Sequence, residues 1–450
     1  PGRGSILMNR HRNPNLFIGL ALMMFVLFTT MCAQADEEVM TNPIAPHAHL
    51  DQTIFNNDFF PLLTWDQLHG WDQGAGQRKN GLASMKECGF NIGGFVYAED
   101  LKECEKLGLK AIVVPKVDGL SAWTRAWKTL SDEEIDTRIR ELVEATGDSP
   151  ALVGFYLIDE PGATSFPALG KAVAAVKKYA PGKLAYINLF PGYATIGAPD
   201  TSQLETESFT EYLERYVEEV DPQFISYDNY QVQYSQDMQN AARASLYYSD
   251  LLEVRRVAQE HNLPYWLIVS SNQIRPFTTI PSPANLRYQA YTGLAAGFNG
   301  ITWYTYYSRG YGYAPIAEDG ERNITWTYLR GVNHEIQTIG SLMNHLKSTG
   351  LYFTAPAPVE GLPTLPGKIV DAVECEQPVM VGEFENEKGE PFVMLVNLSM
   401  QNSAKMSPKR NGEPITGKYF SPQDGRPLPI DYEHGLWAVA GQGILIQPDS

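Results

Sequence analysis

Apolar and polar positions along this chain follow one pattern that repeats for most of its length. Between about residue 55 and residue 340 an apolar run, a polar turn and a helix-like stretch recur, the alternation expected of a parallel sheet flanked by helices. Eight runs read as strands: FFPLLTWDQ (59–67), FNIGGFVYA (90–98), LKAIVVPK (109–116), ALVGFYLIDE (151–160), KLAYINLFP (183–191), PQFISYDNY (222–230), YWLIVSSNQ (265–273) and NGITWYTYY (299–307). The intervening stretches include SDEEIDTRIRELVEATG, SFTEYLERYVEEVDP and SDLLEVRRVAQEHNLP. These open on Ser and stop at Gly or just before Pro, as capped helices do. Eight such units predict a closed (β/α)8 TIM barrel over residues 50–345. An open doubly wound sheet would carry a glycine-rich phosphate turn after its first strand, and the sequence has none there. After ITWTYLRGVNHEIQTIGSLMNHLKSTG the texture changes. TAPAPVEGLPTLPG reads as a linker, and the short alternating runs VMVGEFEN, PFVMLVNLS, LWAVAG and QGILIQ predict a small β-sandwich over residues 366–450.

The fourth run ends unusually, because an apolar stretch stops at two adjacent acids, Asp159 and Glu160, before Pro161 and Gly162. In a parallel barrel the C-terminal strand ends converge on one mouth, where this fold places its chemistry. The ends collect Trp65 and Asp66, then Tyr97, Asp159 with Glu160, Asn188, Asp228 with Tyr230, Asn272 with Gln273, and Trp303 with Tyr304 and Tyr306. Carboxylates, amides and flat aromatic rings without His or Cys make a sugar cleft. Glycoside hydrolysis needs a carboxylic acid to protonate the leaving oxygen and a second carboxylate that attacks the sugar or activates water. Phosphoryl or hydride transfer would need a basic clamp, a metal cluster or a dinucleotide turn, so neither cofactor nor metal is expected. Side chains alternate along a strand, so Trp303 and Tyr304 do not both enter the mouth. The glycine- and tyrosine-rich segment SRGYGYAPIAEDGE after the eighth strand reads as a mobile lid.

Composition narrows the partners. With 35 basic against 52 acidic residues the formal charge is -17, which disfavours nucleic acid and anionic membrane surfaces and suits a neutral carbohydrate substrate. At the N-terminus Arg10 and Arg12 precede an apolar stretch from Leu16 to Phe28, followed by Ala33-Gln34-Ala35. That layout predicts a signal peptide over residues 8–35 and a secreted or periplasmic protein, lipid anchoring through Cys32 being the rival. No other stretch has the roughly 20 apolar residues of a spanning helix. Cys88, Cys104 and Cys375 remain after the leader, an odd number without metal-ligand spacing.

LIDEP at the end of the fourth strand resembles the Asn-Glu-Pro element of clan A glycoside hydrolases, in which the Glu is the general acid/base. ISYDNY at the end of the sixth is similar to a Trp-Asp-Asn-Tyr segment of family 42 β-galactosidases, with the likeness nearest to secreted family-42-like hydrolases of Bacteroidetes. It implies hydrolysis of a β-linked sugar, with Glu160 as general acid/base and Trp303 at the position of a sugar-stacking aromatic. Two positions depart from the clan: Asp159 stands where an amide is usual, and WLIVSSNQ ends strand seven without the nucleophilic Glu. The second carboxylate is therefore expected to be Asp228, with Glu318, Asp319 or a shifted strand assignment as alternatives. A sugar-binding protein on a degraded barrel is the competing function, and a lyase or transglycosylase using the same cleft a third.

Overall fold

The computed structural model of the protein describes residues 54, 58–65, 79–195, 202–235 and 238–449. The expected leader, with Cys32, and Asp66 lie outside the described residues.

Eight parallel strands close into a barrel in sequence order: β1 (Leu62–Trp65), β2 (Ile92–Val96), β3 (Lys110–Val113), β4 (Leu152–Asp159), β5 (Leu184–Leu189), β6 (Ile225–Asp228), β7 (Tyr265–Ser270) and β8 (Gly300–Tyr304). Closure is the pairing of β8 with β1, Thr64 opposite Trp303 and Trp65 opposite Tyr304. Strand alternation divides the side chains into two cores. Inward-facing Leu63, Trp65, Ile92, Phe95, Ile112, Val153, Tyr156, Leu184, Tyr186, Trp266 and Ile268 fill the barrel, while the outward set meets the helices. Several layers of the interior are aromatic: Trp65 meets Phe95 edge-on at 4.8 Å, and Phe95 meets Tyr186 at 5.3 Å.

The helices are α1 (Leu82–Glu87), α2 (Leu101–Leu107), α3 (Leu120–Arg125), α4 (Asp132–Glu144), α5 (Phe166–Tyr179), α6 (Phe209–Val220), α7 (Ala241–Glu260), α8 (Pro283–Ala295) and α9 (Ile324–Met343). Their starts follow the sequence. Ser131 and Glu134 form a reciprocal capping box on α4, and Ser208 and Ser282 cap α6 and α8. No helix among the described residues is long and apolar enough to cross a membrane.

The C-terminal region is a sandwich. β9 (Lys347–Phe353), β11 (Val379–Glu385), β12 (Pro391–Asn397), β15 (Gly417–Phe420), β16 (Pro427–Pro429) and β18 (Gly443–Pro448) form one antiparallel sheet. β10 (Ala372–Glu374), β13 (Ala404–Arg410), β14 (Glu413–Pro414) and β17 (Leu436–Ala438) form the other. The boundary expected at residue 366 lies inside this unit, because β9 pairs with β11, Phe353 opposite Met380. TAPAPVEGLPTLPG is thus an internal crossover rather than an interdomain linker, fastened where Phe353 N–H donates to Pro363 and Leu365 N–H to Phe353.

The sandwich packs on α8. A Cβ at Gly382 would lie 2.3 Å from the Ala295 carbonyl oxygen, and one at Gly441 2.2 Å from that of Ala284, so both approaches require glycine. Buried Glu335 of α9 fixes the joint: Arg287 grips it through Nε at 3.1 Å and Nη2 at 2.6 Å, Tyr291 donates at 3.3 Å, and Gln442 of the sandwich donates at 3.1 Å.

Candidate active site at the barrel mouth

Adjacent strands β4, β5 and β6 bring the Asp159, Asn188 and Asp228 side chains together. Asp159 is the register partner of Asn188, and Asn188 that of Ser226. Strict alternation from inward Tyr156 would turn Asp159 outward. The register shifts between Tyr156 and Ile158, so Leu157 and Ile158 both pack on the helix side and Asp159 returns to the mouth. Glu160 follows at φ 48°, in the left-handed region that non-glycine residues seldom adopt. Its N–H donates to the Asn188 carbonyl at 2.9 Å, and the turn brings its carboxyl round to Asp228, to which it is hydrogen-bonded.

A relay fixes which group donates. Tyr186 OH lies 2.9 Å from Ser226 Oγ, which donates to Asn188 Oδ1 at 3.2 Å. The buried Asn188 amide must therefore turn its NH2 toward the acids, donating to Asp159 Oδ1 at 3.0 Å and Asp228 Oδ1 at 3.1 Å. Glu160 is driven well above the usual carboxylate range, first by burial, then by the charges of Asp228 and Asp159. Asp228 is also raised by burial and by Asp159, while hydrogen bonds from Asn188 and Glu160 restrain it. Burial pushes Asp159 up to about 6, opposed by the Asn188 bond and the charge of Arg309. The shared proton resides on Glu160, which donates it to Asp228.

The remaining expected residues divide. Tyr230 is half-buried at the mouth, its ring 5.2 Å from that of Tyr304, and its phenol is kept protonated by burial and by the charge of Asp228. Tyr97 is half-buried against the barrel interior, with Lys116 Nζ 5.5 Å from its ring centre. Trp65 lies in the aromatic packing inside the barrel, 3% exposed. Asn272 is fully buried and donates to Thr305 Oγ1 at 3.1 Å. Gln273 spends its side chain on the Thr278 and Pro276 carbonyls. Both amides brace the loops after β7 and β8.

Trp303 and Tyr306 do not face the mouth. Trp303 points to the helix layer, where its Nε1 donates to Asn333 Oδ1 at 2.8 Å, and Tyr306 sits there between Ser84 and Trp326. The alternation argument excluded one of the pair Trp303 and Tyr304, and the strand phase selects Tyr304 as the inward residue. Tyr304 OH lies 2.8 Å from Tyr311 OH, and Arg309, whose charge reaches Asp159 and Tyr304, comes from the same loop. That loop, expected to be a lid, is pinned: Gln273 and Gly312 exchange two backbone hydrogen bonds, Ser308 N–H donates to Ile316, and Ala317 N–H to Glu321.

Strand β7 ends at Ser270, whose hydroxyl turns back to the Asn272 carbonyl at 3.1 Å. Glu318 and Asp319 are exposed. Among the described residues, Asp228 is thus the carboxylate in contact with Glu160, and no group of acids, His or Cys is arranged to hold a metal ion.

No family model matches the chain, and no curated protein matches it. Solved structures do. A GH42 β-galactosidase from G. stearothermophilus, in the form of a catalytic mutant, aligns with TM-score 0.54 and 8% identity over 82% of this chain and 95% of its own. A second structure of that β-galactosidase gives 0.55 and 8% over the same shares. A β-galactosidase from the psychrophilic Marinomonas ef1 aligns at TM-score 0.47 and 12% identity, covering 64% of this chain and 62% of that one. The G. stearothermophilus alignments show that this chain shares its fold with that β-galactosidase.

Proposed function

We propose that the protein is an exported glycoside hydrolase that cleaves a β-linked neutral sugar, with Glu160 as general acid/base. The reading rests on one observation: at the mouth of a barrel of this fold, half-buried Glu160 meets the carboxyl of Asp228, and burial, then the charges of Asp228 and Asp159, hold it above the usual carboxylate range. Such an acid can deliver its proton to a glycosidic oxygen at neutral pH, when an ordinary carboxyl would already have lost it. Asp228 serves as the companion carboxylate whose charge holds that proton. Asp159 accepts a sugar hydroxyl or amide, and Tyr97, Tyr230 and Tyr304 offer flat faces and phenols to the ring. The Arg-flanked apolar leader and its Ala-Gln-Ala site support export.

The test is release of sugar from aryl glycosides and a panel of β-linked oligosaccharides by wild type and by Glu160→Gln. Turnover that collapses in the variant supports the reading. The empty strand-seven position favours one rival, a sugar-binding protein on a degraded barrel. Glycan binding without sugar release, unchanged by Glu160→Gln, would establish that rival.

A further inference from the structure

Asp250 lies on α7, on the helix side of the barrel, and is 5% exposed. Alternation along β6 explains what it meets. Asp228 turns into the mouth, Asn229 turns out to the helix layer, and Tyr230 turns back in. Asn229 is fully buried, and its NH2 donates to Asp250 Oδ2 at 3.2 Å and to the Leu246 carbonyl at 3.3 Å, both on α7. Its Oδ1 accepts from Gln231 N–H at 3.1 Å, which fixes the turn after Tyr230.

The same carboxyl oxygen reaches a second loop. Gly192, after β5, donates its N–H to Asp250 Oδ2 at 3.0 Å. A Cβ there would lie 2.4 Å from Asp250 Oδ1 and 3.1 Å from the Phe209 ring, so the approach requires glycine. The next residue carries the link back to the mouth, since Tyr193 OH accepts from Tyr230 N–H at 3.0 Å. Asp250, Gly192, Tyr193, Tyr230 and Asn229 thus close a ring, pinned at one oxygen. The strands it joins are those whose Asn188 and Asp228 side chains are bonded to each other.

We infer that Asp250 is a positioning residue, which ties the loop after β5 to the loop after β6 and so holds Asp228 and Tyr230 in place at the mouth. This deepens the proposed hydrolase reading and rests on it. Asp250 takes no part in breaking the glycosidic bond. Its work is geometric. Without Oδ2 the Gly192 and Asn229 donors lose this bond, and a buried donor left unpaired drives the backbone around it to move. A misplacement of about 1 Å in a reacting group costs on the order of 10²-fold in rate.

The experiment compares Asp250→Ala, Asp250→Asn and Tyr193→Phe with wild type, and takes Arg287→Ala as the control for lost stability alone. It reads hydrogen exchange in residues 191–195 and 229–234, together with kcat and KM on whichever β-glycoside wild type cleaves. Asp250→Ala is expected to speed exchange in both segments and to lower kcat by about 10–10²-fold. Asp250→Asn, whose side-chain oxygen still accepts from both donors, is expected to keep the loops slow and to retain most of kcat. Tyr193→Phe leaves the Asp250 bonds intact and is expected to speed exchange in 229–234 alone and to raise KM through Tyr230. Arg287→Ala is expected to leave both segments and kcat as in wild type. Where Asp250→Ala does not fold, Tyr193→Phe decides. Two results would overturn the inference and leave the hydrolase reading standing: wild-type exchange in both segments of the folded variants, or loosened loops with kcat and KM unchanged. Absence of sugar release by wild type overturns the hydrolase reading instead. The inference is then read from glycan affinity, which Asp250→Ala is expected to lose and Asp250→Asn to keep, and equal affinity in the two overturns it.

Discussion

Buried acids occur in two kinds of place in this molecule, and they are treated in opposite ways. At the joint between barrel and sandwich, Glu335 is met by the Arg287 guanidinium, the Tyr291 phenol and the Gln442 amide. Inside the sandwich, Glu383 is fully buried and accepts from the Lys368, Ile369 and Val370 backbone N–H groups at 2.8–3.0 Å. Each has donors for both oxygens. At the barrel mouth two carboxyls, Asp159 and Asp228, share one amide, Asn188, and the Glu160 carboxyl leans on Asp228. A carboxylate with donors costs little to bury, whereas carboxyls facing each other must hold protons. Donors around an acid mark structure, and the acids around Glu160 mark the candidate site.

Breaking the mouth should have the largest effect on rate and the least on fold. Glu160→Gln is expected to lower kcat by about 10²–10⁴-fold, measured on whichever glycoside wild type cleaves, with the thermal midpoint unchanged or raised. The reverse holds at the joint. Arg287→Ala strands Glu335 without its cation and is expected to destabilise the fold by about 3–5 kcal/mol, read by denaturant unfolding, while kcat per folded molecule stays near wild type. Equal rate losses in both variants would erase the distinction.

The pH profile sharpens the comparison. Activity is expected to fall as pH drops through about 6, where Asp159 takes up a proton, and to persist at alkaline pH beyond the ordinary carboxylate range. Asp228→Asn removes the charge that holds the Glu160 proton, so the alkaline limb should move to lower pH. An unmoved limb would mean that Asp228 does not set it.

Asp250 on α7 tests the same logic behind the mouth. It is buried, accepts from Gly192 N–H at 3.0 Å and Asn229 Nδ2 at 3.2 Å, and is pushed up to about 8, chiefly by burial. Its folded pKa lies above the unfolded value of about 3.9. The stability tied to its proton is therefore fully present below about pH 4 and is lost as pH rises through about 8. Asp250→Asn should flatten that decline in unfolding free energy, measured from pH 4 to 9. The smallest effect expected separates the two aromatics of β8. Trp303→Phe should lower stability by about 1 kcal/mol through the lost Asn333 hydrogen bond and leave KM alone. Tyr304→Ala should raise KM.

The barrel was legible because its evidence is redundant. Eight runs carry the same pattern, and an error of a few residues in any one leaves the count intact. The site was legible only to the level of strand ends. Listing them named Asp159, Glu160, Asn188 and Asp228, which the fold brings together, but it also admitted Trp303 and Tyr306, which point to the helix layer, since a strand's phase is not written in a run that is apolar on both faces. The Asn272 and Gln273 amides looked equally available in sequence. Only the folded loops show them spent on Thr305 and on the Pro276 and Thr278 carbonyls. Pro- and Gly-rich composition placed the domain boundary at 366, although β9 before it already belongs to the sandwich.

The order of strands and helices, the caps and the arrival of acids at strand ends were determined by local chemistry, readable one residue after another. Three matters were settled only in three dimensions: the β4 bulge that turns Asp159 inward, the left-handed turn at Glu160, and the relay from Tyr186 through Ser226 that points the Asn188 amide at both acids. Each depends on neighbours dozens of residues away. A carboxyl's protonation is set by what surrounds it in space, and the chain sequence does not state which groups those will be.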